Sequence, residues 1–142
     1  MASGGVQVVP EGRAKLAEVV ARHRIRLMVA FGSQVSGRVH ATSDLDLAVL
    51  VDPPDGGDWL GLMADLQTLF PGREVDVVWL RQADPLIGWH ALRQPQLLVG
   101  DPGDLLRYQT YAWRRFVEYA PFFALEADAV RRGIARLRDG HR

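Results

Sequence analysis

Gly32 and Ser33, followed after ten further residues by Asp44 and Asp46, are the residue types and spacing in this chain most able to do chemistry. Ahead of them, Arg26-Leu27-Met28-Val29-Ala30-Phe31 is a short apolar run that reads as a strand. Gly32 lets the backbone turn sharply out of it, and the small Ser33 then opens a short helix. Unpaired N–H groups at a helix start, with a hydroxyl beside them, form a seat for phosphate oxygens. Past the loop, Leu45, Leu47, Val49 and Val51 take one face of a second strand, and Asp44, Asp46, Ala48 and Leu50 the other. Both carboxylates therefore project the same way.

Two carboxylates ~5 Å apart repel by roughly 3 to 4 kcal/mol at an effective dielectric near ~20. A cation offsets that cost, and oxygen-only ligands with no Cys or His in the pair favour Mg²⁺ or Mn²⁺ over zinc. Asp76, in the strand-like run Glu74-Val75-Asp76-Val77-Val78-Trp79 after the turn Pro71-Gly72, is the candidate third carboxylate. A neighbouring strand would set it beside the other two.

These residues resemble the nucleotidyltransferase superfamily that includes DNA polymerase beta, and its small stand-alone members, the minimal nucleotidyltransferases. The resemblance extends over Val75 to Val99, which is similar to the third strand and following helix of those proteins. The tail resembles the antitoxin branch that pairs with HEPN ribonuclease toxins. The resemblance implies a small mixed α/β (α+β) sheet flanked by helices, with a C-terminal helical pair. It also implies transfer of AMP from ATP to a tyrosine of the toxin. In that scheme one metal, on Asp44 and Asp46, carries the triphosphate. A second bridges Asp44, Asp46 and Asp76 and activates the acceptor hydroxyl, while Gly32 and Ser33 hold the β- and γ-phosphates. Where many relatives carry an arginine soon after the serine, this chain has Gln34-Val35-Ser36-Gly37, and Arg38 or His40 would have to supply the missing charge.

Composition fits one compact domain. At 142 residues the chain can bury well over half of its unfolded surface, and 48% hydrophobic with 24% charged content is ordinary for a soluble protein. No run approaches a membrane span, Met1 to Val9 lacks a signal-peptide plan, and the default location is cytoplasmic. The absence of cysteine excludes disulfides and thiolate chemistry. The 17 basic and 17 acidic residues cancel, which argues against direct nucleic-acid binding. Arg131, Arg132, Arg136, Arg138 and Arg142 crowd the end of the chain, and read first as a solvated helix face.

The elements that must position the site follow as alternating helices and strands. Pro10-Glu11 opens a helix with Leu16, Val19 and Val20 inward, and His23 at its partly exposed end. Trp59, Leu62, Met63, Leu66, Leu69 and Phe70 recur at three-four spacing as the core stripe of a second helix. Asp84-Pro85 caps a third helix over Leu86 to Arg93, and Leu97-Leu98-Val99 forms a short edge strand. A helix from Asp104 to Ala120 is expected to break or kink at Pro121 before a last helix. The division is thus a core over 1–103 and a helical extension over 104–142 packed on it.

The extension carries more aromatic side chains than one stripe of core contact uses. Trp113, Phe116, Phe122 and Phe123 are expected at an interface with a partner protein or a second copy of the chain. Two other functions compete with the protein adenylyltransferase. A small-molecule, antibiotic-type nucleotidyltransferase needs a larger acceptor pocket, for which no sequence is seen. A non-catalytic toxin-binding subunit has no need of all three aspartates.

Overall fold

A computed structural model of the chain describes residues 10–32, 44–52 and 58–140. Ser33, Arg38 and His40, and the short helix expected after Gly32, lie outside the described residues. Four strands, β1 (Ile25–Phe31), β2 (Leu45–Val51), β3 (Val75–Trp79) and β4 (Gln96–Val99), form one mixed sheet in the order β3-β2-β1-β4. β1 runs antiparallel to both β2 and β4, whereas β2 and β3 are parallel. A parallel pair needs a crossover rather than a tight turn, and α2 (Trp59–Leu69) provides it.

The two central strands are apolar on both faces because both faces are covered. One side packs Met28, Leu45, Leu47 and Val49 against Val19 of α1 (Pro10–His23) and Leu62 and Leu66 of α2. The other packs Leu27, Val29, Phe31, Ala48 and Leu50 against Ala91 and Leu92 of α3 (Pro85–Leu92) and Ala112 of α4 (Pro102–Asp139). Leu27, Met28, Val29 and Ala30 are all fully buried, and the large ones contribute about 1.5–3 kcal/mol each. Strict alternation would put Ile25 and Leu27 on one face. The ladder shifts register between them, and the extra residue sends Ile25 to the α1–α2 side and Leu27 to the α3–α4 side.

The caps follow the local sequence. Asp58 accepts from the Gly61 N–H at the start of α2, and Asp84 from the Ile87 N–H at the start of α3, both at 2.9 Å, with Pro85 supplying a first residue that needs no donor partner. His23 ends α1 as expected and joins it to α2: its Nε2 lies 2.6 Å from Asp65 Oδ2, which Arg22 also approaches at 3.0 Å. The His23 hydrogen bond is the main reason the Asp65 carboxyl sits below the usual carboxylate range.

The C-terminal helical pair is corrected to a single helix. α4 runs unbroken from Pro102 to Asp139 with Pro121 inside it, capped by Asp101, which accepts from the Gly103 and Asp104 N–H groups. A proline removes one helical hydrogen bond and crowds the carbonyl four residues back. Pro121 is exposed, so water can take up the freed carbonyl, and helix continues on both sides. The first half of α4 packs on α3, with Ala112 buried and Leu105 and Tyr108 against the same cluster. From Ala124 to Gly140 every residue is exposed. No helix among the described residues is long and apolar enough to cross a membrane.

Candidate active site

Three adjacent strands set one row of side chains across the end of the sheet. Phe31 of β1 is the cross-strand partner of Asp46 on β2, and Asp46 is the partner of Asp76 on β3. Neighbouring strands stand about 4.8 Å apart, so this register brings the Asp46 and Asp76 carboxylates side by side. Asp44 lies just before β2, exposed, and close enough for its charge to act on Asp46.

Gly32 follows Phe31 with φ +80°, a conformation that L side chains rarely adopt. A Cβ here would lie 2.8 Å from Asp46 Oδ2. Glycine is thus required twice at this turn, for its backbone angle and for the room it leaves the carboxylate. Gly32 itself therefore lies directly against Asp46.

Asp46 is the strained member of the row. Burial pushes its carboxyl above the usual carboxylate range, the negative charges of Asp76 and then Asp44 push it further, and His90 opposes them. Among the described residues no three Asp, Glu or His side chains are gathered tightly enough to share one metal ion. The donor set itself, carboxylate oxygens with a half-buried member held at a charge cost, suits a hard divalent cation.

His90 was not foreseen from sequence. It stands on α3 with its ring edge-on to Phe31, centroids 5.9 Å apart, which sets it beside Asp46. No spacing rule joins a residue late in one helix to a carboxylate three elements earlier. Only the packing of α3 across the end of β1 brings them together. Trp59, expected as a plain core residue of α2, packs against the core but also stacks on Trp79, with centroids 4.4 Å apart. The stacked pair borders an open cleft of about 730 Å³ outside β3, also lined by Val77, Val78, Gln82, Ala83, Asp84 and Ile87.

Residues 14–102 match the family model for the polymerase beta nucleotidyltransferase domain. No curated protein matches the chain by sequence. Among solved structures, a toxin–antitoxin with AMP-PNP is 25% identical with a TM-score of 0.67, covering 82% of this chain and 97% of that one. The toxin–antitoxin MntA-HepT is 21% identical with a TM-score of 0.62, covering 84% and 97%. The tri-AMPylated Shewanella oneidensis HEPN toxin in complex with MNT antitoxin has the same identity, TM-score and coverage.

Proposed function

The chain belongs to the polymerase beta nucleotidyltransferase family, and from that premise we propose that it is an antitoxin that moves AMP from ATP onto a tyrosine hydroxyl of a HEPN-type toxin. The observation that carries this reading is the Gly32 turn packed against Asp46, with Asp76 the register partner of Asp46 on the adjacent strand. Likeness to a toxin–antitoxin with AMP-PNP over 97% of that chain's length supports it.

In the transfer, the tyrosine oxygen gives up its proton to solvent and forms a bond to the α-phosphorus, the bond from that phosphorus to the oxygen bridging it to the β-phosphorus breaks, and pyrophosphate leaves. Gly32 and Ser33 would hold the β- and γ-phosphates. Asp44, Asp46 and Asp76 would hold Mg²⁺ or Mn²⁺, which supplies positive charge to offset the triphosphate and acidify the acceptor hydroxyl. Asp76, on the outermost strand, faces the side from which the acceptor enters. His90 borders the row on the α3 side, where its charge lowers the cost of ionising Asp46. The site acts in the cytoplasm, where ATP and the toxin are both present.

The partner docks on the distal half of α4, where Tyr119, Phe122, Leu125, Val130, Ile134 and Leu137 are each 45–68% exposed. Such a row on a helix clear of the core suits a helical partner. The test is transfer of label from α-labelled ATP to a HEPN protein. Label on the toxin that is lost with EDTA and restored by Mg²⁺ is expected. Label that persists in EDTA contradicts the metal-dependent reading, and no label under any condition contradicts the activity.

A further inference from the structure

We infer that the open edge of β3, with the Trp59–Trp79 cleft beside it, is where the acceptor segment of the partner protein binds, as an extended strand added to the sheet. This rests on the activity proposed above and assigns its acceptor site. The Leu45 N–H donates to the Glu74 carbonyl at 2.8 Å and the Leu80 N–H to the Val49 carbonyl at 2.9 Å. In a parallel ladder alternate residues face the partner strand, so Glu74, Asp76, Val78 and Leu80 turn their main chain to β2, and Val75, Val77 and Trp79 turn theirs outward.

Both ends of that outward row are closed by the chain itself. Gln67 Oε1 accepts from the Val75 N–H at 3.1 Å, and the Trp79 carbonyl accepts from the Gln82 N–H at 3.1 Å. Between them the N–H and C=O of Val77 meet no partner among the described residues. Edge strands are usually guarded by lysine, proline or a covering element. Here the middle of the edge presents half-exposed Val77 and Trp79 and opens into a cleft of about 730 Å³. That combination, free main-chain groups beside an apolar cleft, is the recognition chemistry of an added peptide strand.

Position selects the occupant. Phosphates seated at Gly32 put the leaving pyrophosphate on the β1 side, and in-line displacement brings the entering oxygen from the opposite side, which is β3. The edge is continuous with the acidic row, since Asp76 belongs to the same strand, and with the docking helix, since Arg115 of α4 donates to the Ala83 carbonyl at the cleft rim. A segment paired with β3 that sets its tyrosine opposite Asp76 places the residue three positions along opposite Trp79, ~10 Å away and on the other face. An apolar side chain there fills the space beside the stacked tryptophans.

The experiment is amide hydrogen exchange on the full chain, alone, with Mg-ATP, and with a HEPN toxin as acceptor, alongside transfer kinetics for Ile87→Arg, an exposed change at the cleft rim. The expected result is slowing of Val77 amide exchange by at least tenfold with the toxin and not with Mg-ATP, and a KM for the toxin raised about tenfold in Ile87→Arg while the KM for ATP holds. Transfer that proceeds with Val77 exchange unchanged overturns the acceptor site and leaves the activity standing. Slowing by Mg-ATP alone gives the cleft to the nucleobase and overturns it as well. A parent chain that transfers no AMP removes the activity and this inference together.

Discussion

The acidic end of the sheet and the distal half of α4 are opposite kinds of unfinished structure. At the sheet end the described strands are firmly packed: β1 and β2 are buried on both faces and fix Phe31, Asp46 and Asp76 in one row. What marks the row is unfavourable charge: burial first, and then the neighbouring Asp76 and Asp44 charges, hold the Asp46 carboxyl above its usual range. The distal half of α4 is the reverse. Its charges are solvated, with Arg132 paired to Asp128 one turn earlier, but Tyr119, Phe122, Leu125, Val130, Ile134 and Leu137 stand exposed. Under the proposed function a cation and a nucleotide would meet the first deficit, and a protein surface the second. A site for chemistry is built on rigid strands and a site for association on a projecting helix, because the first needs fixed positions and the second needs area.

The largest separation of the two regions comes from Asp44→Ala with Asp46→Ala. Loss of the acidic pair is expected to lower AMP transfer by three orders of magnitude or more, while toxin binding stays at the parent level. Relief of repulsion, trimmed by solvent screening, holds the melting temperature level or raises it by a few degrees. Label transfer, pull-down and calorimetry measure the three. A fall in melting temperature would mean the carboxylates belong to the scaffold.

The complementary cut removes the other region. Ending the chain after Ala120 keeps Leu105, Tyr108 and Ala112, which pack on the α3 side of the core, and discards the exposed helix. Folding by circular dichroism and ATP binding are expected to persist, with affinity for the toxin down by at least about tenfold, or ~1.4 kcal/mol. A cut after Gly103 is a poorer test, because it strips the cover from Leu27, Val29 and Phe31. Unchanged toxin affinity after the Ala120 cut would place docking elsewhere.

A smaller effect sharpens the first region alone. Gly32→Ala forces a side chain into positive φ and to within 2.8 Å of Asp46 Oδ2. The carboxylate can swing aside, so stability should fall by only about 1 kcal/mol, but the displaced Asp46 should cost transfer about tenfold. Parent-level transfer would show that the close approach of Gly32 is not needed for the chemistry.

The legible parts of this chain were those with local signals. Alternation gave β2, three-four spacing gave the inward residues of α1 and α2, and Asp84-Pro85 gave the cap of α3 within a residue. The pairing of Asp46 with Asp76 is a matter of strand order, and the sequence offered only two strand-like runs joined by a helix, for which a parallel neighbour is the natural solution. His90 was illegible because its contact with Phe31 depends on where α3 crosses the sheet. The edge at Val77, outermost among the described strands, was illegible for the same reason, since being outermost is a property of the whole sheet. Pro121 misled in the other direction: its local penalty is real, but on an exposed face of a long helix it does not outweigh the turns on either side.

The most direct test of catalytic rather than contact neutralisation is the ribonuclease activity of the HEPN toxin after the antitoxin has been removed. Toxin incubated with the chain, ATP and Mg²⁺ and then stripped of it should remain inactive, while toxin treated the same way with the Asp44→Ala, Asp46→Ala variant should recover fully. Full recovery in both cases would contradict AMP transfer as the silencing step and leave binding alone as the mechanism.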